Sequence, residues 1–301
     1  MKLVLEGGGS RAAYSAGVVD ALARAGVRPQ AVIGCSSGSI NAAFFASGQT
    51  ETLCDLWANY VPGTHFISWR RQLTPFGAPG LAIDDMLDRV MVGQGLFDPV
   101  AATRGEPALY VAVTDVASGQ GMLVKPEQHN VIEWLRASLA LPVGYNRIVN
   151  VDGRGFIDGG VSMPVPFDEP IATECPGPTV VVLTRKMDTR KPAPNWWQKA
   201  FIWTGVPRAA RPHVLRQHEL HNEVMERLRD AVTRTEVLLV NPPDELPLSR
   251  FTRDAGRMRA GIELGREVGR GLAQRLASAL PSVAELAQPV HDGAREILEH
   301  R

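Results

Sequence analysis

The sequence predicts an α/β protein built on a parallel sheet, and three observations carry that reading. Strand-like and helix-like segments alternate through the first half of the 301-residue chain. Leu109–Thr114 and Thr179–Thr184 are unbroken runs rich in β-branched residues, the kind that parallel sheets bury on both faces. Two glycine-rich stretches, Gly7–Gly9 and Gly34–Gly38, each sit between a strand signal and a helix signal.

Lys2–Leu5 reads as a short buried strand. Arg11–Gly26 reads as a helix, with Ala16, Val19 and Ala23 close to one face and Gly26 closing it. Ala31–Ile33 is a second strand and Ser37–Ser47 a second helix. Pro62–Gly80 carries three prolines and three glycines, and reads as a long loop over a site. Glu236–Val240 adds an edge strand. Pro192–Arg211 mixes prolines with Trp196, Trp197, Phe201 and Trp203. Such a cluster is more often core, but it also suits a lid facing lipid, because tryptophan favours membrane interfaces. Ser282–Arg301 reads as a terminal helix. Residues 1–185 are expected to form a catalytic core, and 186–301 a helical extension packed on it as part of one domain.

Apolar residues make up 45% and charged residues 21%, the balance of a globular protein. The formal net charge is zero, so no global field attracts nucleic acid. Between Arg185 and Arg275, however, 18 Lys/Arg face 11 Asp/Glu. A basic stretch can attract anionic lipid headgroups, although solvated helix faces are its plainer reading. Cys35, Cys54 and Cys175 have neither disulfide nor metal spacing and suit a reducing cytoplasm. Glu6 interrupts the first apolar run, so no signal peptide is expected. No apolar run approaches the roughly 18 residues a membrane span needs, so lipid contact is expected to be peripheral.

Gly34-Cys35-Ser36-Ser37-Gly38 follows a strand and opens a helix, the context of a G-x-S-x-G nucleophile elbow. The glycines allow a turn too tight for side chains, which pushes the Ser36 hydroxyl out above the sheet. The helix that follows aims its positive end at that oxygen. Gly7-Gly8-Gly9-Ser10-Arg11 admits two readings. A dinucleotide loop needs an acidic residue about 20 positions on, at the end of the second strand, and Gln30–Ile33 supplies none. A nest of backbone N–H groups that grips an oxyanion needs only a nucleophile beside it, and Ser36 is there. Asp158-Gly159-Gly160 ends the Gly155–Ile157 run. Its carboxylate can act as the base for Ser36, with the glycines leaving room for a ligand. A Ser-His-Asp triad would draw on His291 or His300, which read as surface residues. His213, His218 and His221 lack the partners of a metal site. Asp115 reads equally well as a supporting carboxylate or a turn cap.

In this order the three motifs resemble the patatin-like phospholipase family, and Ala137–Pro142 resembles a segment usual between the last two. Met258–Gly269 is similar to a less characterised bacterial branch of that family. The resemblance covers Lys2 to Thr184. It implies a three-layer α/β/α fold with a central, mostly parallel sheet and a lipid ester hydrolase that needs no cofactor or metal. It also implies Ser36 as nucleophile, Asp158 as base, backbone donors at Gly8, Gly9 and Ser10 after Gly7, and Arg11 as the arginine beside the oxyanion hole. Gly34, Gly38, Gly159 and Gly160 shape the motifs. Ala12 departs from the pattern, standing where many members have glycine. Related readings are a carboxylesterase or acyltransferase. A lipid-binding protein without turnover, or an oxidoreductase, belongs to a different class.

Overall fold

The computed structural model describes residues 1–62, 66–68, 79–169 and 177–279. His65, Cys175, His291, His300, most of Pro62–Gly80 and the Ser282–Arg301 segment lie outside the described residues. Buried runs pair as the sequence suggests. β1 (Lys2–Leu5), β2 (Ala31–Cys35), β3 (Ala108–Asp115), β7 (Thr179–Val182) and β8 (Val237–Val240) are parallel. Antiparallel partners complete one side: β4 (Gly121–Val124), β5 (Val149–Val151) and β6 (Arg154–Asp158). The sheet has eight strands in the order β5-β6-β3-β2-β1-β7-β8, with β4 paired to β3. The sheet is therefore mixed.

The pleat sends alternate side chains of each strand to opposite faces. Leu3, Leu5, Val180 and Val182 meet one layer of helices: α1 (Ala12–Arg24), α2 (Ser37–Ala46) and α3 (Thr50–Asp55). Short α4 (Pro99–Thr103) and α5 (Val131–Leu139) extend that side. Val4, Ile33, Val181 and Leu183 face the other way and pack on Val224, Met225 and Leu228 of the long helix α7 (Arg211–Thr233). α6 (Trp196–Gly205) precedes α7, and α8 (Ala255–Ala279) ends the described chain. The result is a three-layer α/β/α arrangement.

The hydrogen bonds of β3 fix where its neighbours sit. Backbone N–H groups of a strand alternate between its two edges, so residues an even number apart share an edge. Ala108 donates to Gln30 O beside β2, and Val116 donates to Gly155 O beside β6, while Asp115 donates to Gln120 O beside β4. β2 and β6 therefore meet end to end along one edge of β3, and β4 takes the other. Cys35 pairs with Ala112, and the next residue, Val113, pairs with Asp158.

The segment after residue 186 does more than decorate this core. β8 lies in the sheet beside β7, and α8 crosses α1 with backbones touching. A Cβ at Gly265 would stand 2.0 Å from Tyr14 O, and one at Gly17 2.0 Å from Ile262 O. Gly265→Ala should therefore cost about 1–3 kcal/mol through forced separation of the two helices, read in urea unfolding. Gly271 lies on the same helix with open space at its Cβ. Gly271→Ala should stabilise by up to about 1 kcal/mol.

Candidate active site

Ser36 follows β2 directly and caps α2, with φ 52° and ψ −130°, a positive-φ conformation that strains a non-glycine residue. Its neighbours allow this. A Cβ at Gly34 would lie 2.4 Å from Ser39 Cα, and one at Gly38 2.4 Å from Leu5 O, so only glycine lets the chain double back. The turn is tied down from both sides. The Ser36 N–H donates to Ser138 Oγ at 2.9 Å, and Ser138 Oγ donates to Ala112 O at 2.7 Å. The Ser36 carbonyl accepts from Ser39 N–H and from Ser39 Oγ. Ser138 belongs to the Ala137–Pro142 stretch, whose usefulness the sequence does not explain.

The end-to-end meeting of β2 and β6 brings the hydroxyl and the carboxylate together. Ser36 Oγ donates to Asp158 Oδ2 at 2.7 Å, and the Gly160 N–H donates to Asp158 Oδ1 at 2.7 Å. Asp158 is buried, and burial raises its pKa to about 6 against the opposing pull of those hydrogen bonds. Gly159 and Gly160 serve differently from the expectation of ligand space. Gly159 is pressed on the Ala112 carbonyl, where a Cβ would come within 2.3 Å, and Gly160 is a donor to the carboxylate. The Gly160 carbonyl accepts from Gln217 Nε2 at 2.7 Å, which ties the turn to α7.

The glycine-rich loop lies beside this pair. The Gly7 carbonyl accepts from Thr184 Oγ1 at 2.9 Å. The Gly8 N–H donates to Ser37 Oγ at 2.9 Å. The Gly9 N–H has no hydrogen bond among the described residues. The Ser10 N–H, expected to face a ligand, instead donates to Arg250 O at 2.9 Å, because the segment around Arg250 folds over the loop; Ser10 Oγ also donates to Thr252 O at 2.8 Å. Arg11 starts α1 with its guanidinium largely buried, and burial together with Arg185 lowers its pKa to about 10.

One cavity holds all these groups. Its lining includes Gly7–Ser10, Ser36, Ser37, Asp158 and Gly160. Ile40, Trp57, Phe66, Ile83, Met86 and Leu139 give it an apolar wall. Phe66 and Ile67 come from the Pro62–Gly80 stretch, so its described part does border the site. The lining also carries Arg185, Lys191, His221 and Arg250; the sequence marks Arg185 only as the start of a basic stretch and His221 only as a weak metal candidate, and does not single out Lys191 or Arg250. His221 makes no hydrogen bond to Ser36 or Asp158, and burial lowers its pKa to about 3, leaving a neutral ring. His213 and His218 spend a ring nitrogen each on the carbonyls of Val116 and Leu215. No cluster of metal-ligating side chains exists among the described residues. Asp115 is a turn cap: it accepts from Ser118 N–H and Oγ and pairs with Arg154.

A family model for patatin-like phospholipases matches residues 3–171. The chain belongs to the patatin-like phospholipase family. That membership supports a lipid ester hydrolase in general. Among relatives, the uncharacterized protein YjjU of Escherichia coli (strain K12) is 25% identical over 276 residues, which cover 89% of this chain and 75% of YjjU. Among solved structures, VipD from Legionella pneumophila aligns with a TM-score of 0.48 and 13% identity. The alignment covers 91% of this chain and 66% of VipD, just under two thirds of its length. No helix among the described residues is long and apolar enough to cross a membrane.

The elbow rests on Ser138, whose hydroxyl serves two buried backbone groups. Ser138→Ala strands the Ser36 N–H and the Ala112 carbonyl together. A stability loss of about 1–3 kcal/mol is expected in urea unfolding. An unchanged midpoint would mean that the strained turn is held without it.

Proposed function

We propose that the chain hydrolyses lipid esters through a serine–aspartate dyad, with Ser36 as nucleophile and Asp158 as its base. The observation that carries this reading is the 2.7 Å hydrogen bond from Ser36 Oγ to Asp158 Oδ2, made by a serine in a positive-φ turn at the mouth of a cavity. Asp158 takes the Ser36 proton as Oγ attacks the ester carbonyl. The carbonyl oxygen becomes an oxyanion at the glycine loop. Gly9 offers an uncommitted N–H, and Gly8 offers a second once Ser37 Oγ yields it. Ser10 can join only if its bond to Arg250 O opens. The tetrahedral species collapses, and the departing alkoxide takes the proton from Asp158. Water then attacks the acyl-enzyme, giving its proton to Asp158, and Ser36 leaves with that proton. A carboxyl near pKa 6 is a better base for this work than an ordinary one near about 4. The apolar wall suits an acyl chain.

The aromatic cluster supports contact with a lipid surface. α6 is anchored by Ile202 alone, while Trp196, Trp197 and Trp203 are 64%, 66% and 59% exposed. The cluster is thus not core. Trp197 and Phe201 line a cleft that shares Arg185, Lys191, Gln217 and Arg250 with the Ser36 cavity. Exposed tryptophans at the mouth of a lipid site fit peripheral docking on a membrane.

Three measurements test this. On short- and long-chain p-nitrophenyl esters, Ser36→Ala should abolish turnover and Asp158→Asn should lower it by about 10²–10⁴-fold. The His291→Ala/His300→Ala double variant should retain it, and loss of activity there would restore a triad. For the wild type, kcat/KM should fall as pH drops through about 6, because the protonated carboxyl cannot accept the Ser36 proton. On anionic vesicles, Trp196→Ser/Trp203→Ser should weaken binding about tenfold. Equal binding would place the membrane contact elsewhere.

A further inference from the structure

The basic stretch after Arg185 does not spend all its charge on solvated helix faces. Arg185, Lys191 and Arg250 come from three separate segments and point into the cavity that holds Ser36. All three lie beyond residue 171, where the family match ends. They are placed with care: the Lys191 backbone N–H donates to Asn222 Oδ1 at 2.9 Å and its carbonyl accepts from Asn222 Nδ2 at 3.0 Å. Yet none of the three side chains makes a hydrogen bond or ion pair among the described residues, and Arg185 Nε is shut off from solvent with no acceptor. Arg136 and Arg266 show the contrast: Arg136 meets Asp84, Asp88 and Glu133, and Arg266 meets Asp20 and Glu263, whereas Arg11 beside the same cavity also leaves Nε and Nη2 without acceptors.

The two carboxylates nearby, Glu6 and Asp158, attract these cations through space but make no direct ion pair with them. Glu6 Oε2 accepts from the Thr184 N–H and Oγ1, and Asp158 is held by Ser36 and Gly160. The cations consequently repel one another. Burial and the two neighbouring guanidinium groups lower the Lys191 pKa to about 7, and burial and Arg185 lower that of Arg250. Buried donors without acceptors are costly to maintain, and a ligand that brings acceptors and negative charge removes the cost. Guanidinium groups match phosphate oxygens with paired donors, and lysine adds a point charge.

We propose that Arg185, Lys191 and Arg250 form a subsite for a phosphate monoester, carried on the leaving-group side of a lipid acyl ester whose carbonyl meets Ser36. The inference rests on the reading of Ser36 as nucleophile, and it names the headgroup that reading leaves open. Two guanidinium groups, with a lysine that a bound anion would keep protonated, suit a dianion. A phosphocholine brings one negative charge and a quaternary ammonium that the same cations repel.

The test separates binding from turnover. Ser36→Ala protein is titrated by calorimetry with monomeric dihexanoyl phosphatidic acid, its phosphocholine counterpart and inorganic phosphate. Phosphatidic acid should bind about tenfold more tightly than either of the others. Adding Arg185→Gln and Lys191→Gln should weaken phosphatidic acid about tenfold and phosphocholine less. If that protein fails to fold, Lys191→Met alone carries the comparison. Equal affinity for the two lipids, or undiminished affinity in the variants, overturns the subsite. Inorganic phosphate binding as tightly as phosphatidic acid overturns the lipid assignment. A wild type inert on every ester but selective in this titration would remove the hydrolase reading and leave the subsite. An active wild type indifferent to headgroup would remove the subsite alone.

Discussion

The site depends on a single step along β3. At Ala112 the strand is still paired with β2, and at Val113 it is already paired with β6 on the same edge. Two chain ends therefore face each other across one residue, one carrying Ser36 and the other Asp158. The Ala112 carbonyl is left without a strand partner at the gap, and Ser138 Oγ takes it. The same hydroxyl holds the Ser36 N–H, so one side chain both seals the sheet and fixes the turn. The strain of a positive-φ serine, about 1–3 kcal/mol in general, is borne because the strand, the helix behind it and Ser138 over-determine the geometry.

The electrostatics of the cavity follow from its depth. Burial penalises every ionised form, raising the pKa of Asp158 and lowering those of Lys191, His221 and Arg11. A carboxylate that is harder to ionise accepts a serine proton more readily. A histidine that is harder to protonate cannot replace it as a charged partner. The cations keep Asp158 from rising further, since Arg250 and Lys191 both favour its ionised form. Apolar and cationic side chains line the same cavity as the serine.

Much of this was legible in the sequence, and the reasons are local. Glycines at 34 and 38 around a serine, after one strand and before a helix, have few other uses. β3 and β7 are plain because continuous runs rich in β-branched residues suit strands buried on both faces. Nothing in the sequence marks the hairpin strands β4 and β5, because Gly121–Val124 and Val149–Val151 are short and carry no such run. Ser138 looked like any helical serine, and only tertiary contact gives it a role. The exposure of Trp196, Trp197 and Trp203 was not decidable either, because tryptophans populate cores and interfaces alike. The cationic wall was the least visible part. Arg185, Lys191 and Arg250 were three among 32 basic residues, and nothing in their spacing distinguishes a buried guanidinium from a solvated one.

That last gap has a structural cause. The family-matched segment supplies Ser36, Asp158 and the glycine loop, but it does not finish the cavity. Thr184 holds the Gly7 carbonyl and Gln217 holds the Gly160 carbonyl. The Arg250 carbonyl takes the Ser10 N–H, and Thr252 O takes the Ser10 hydroxyl. Each of these contacts reaches back from beyond residue 171 to a motif residue. The loop bearing Arg250 runs between β8 and α8, whose places are set by pairing with β7 and by the glycine contact with α1. The C-terminal part therefore acts as the second half of the site. The motif residues come from the family-matched segment, while the later segments bring Arg185, Lys191 and Arg250 to the same cavity and so set its charge.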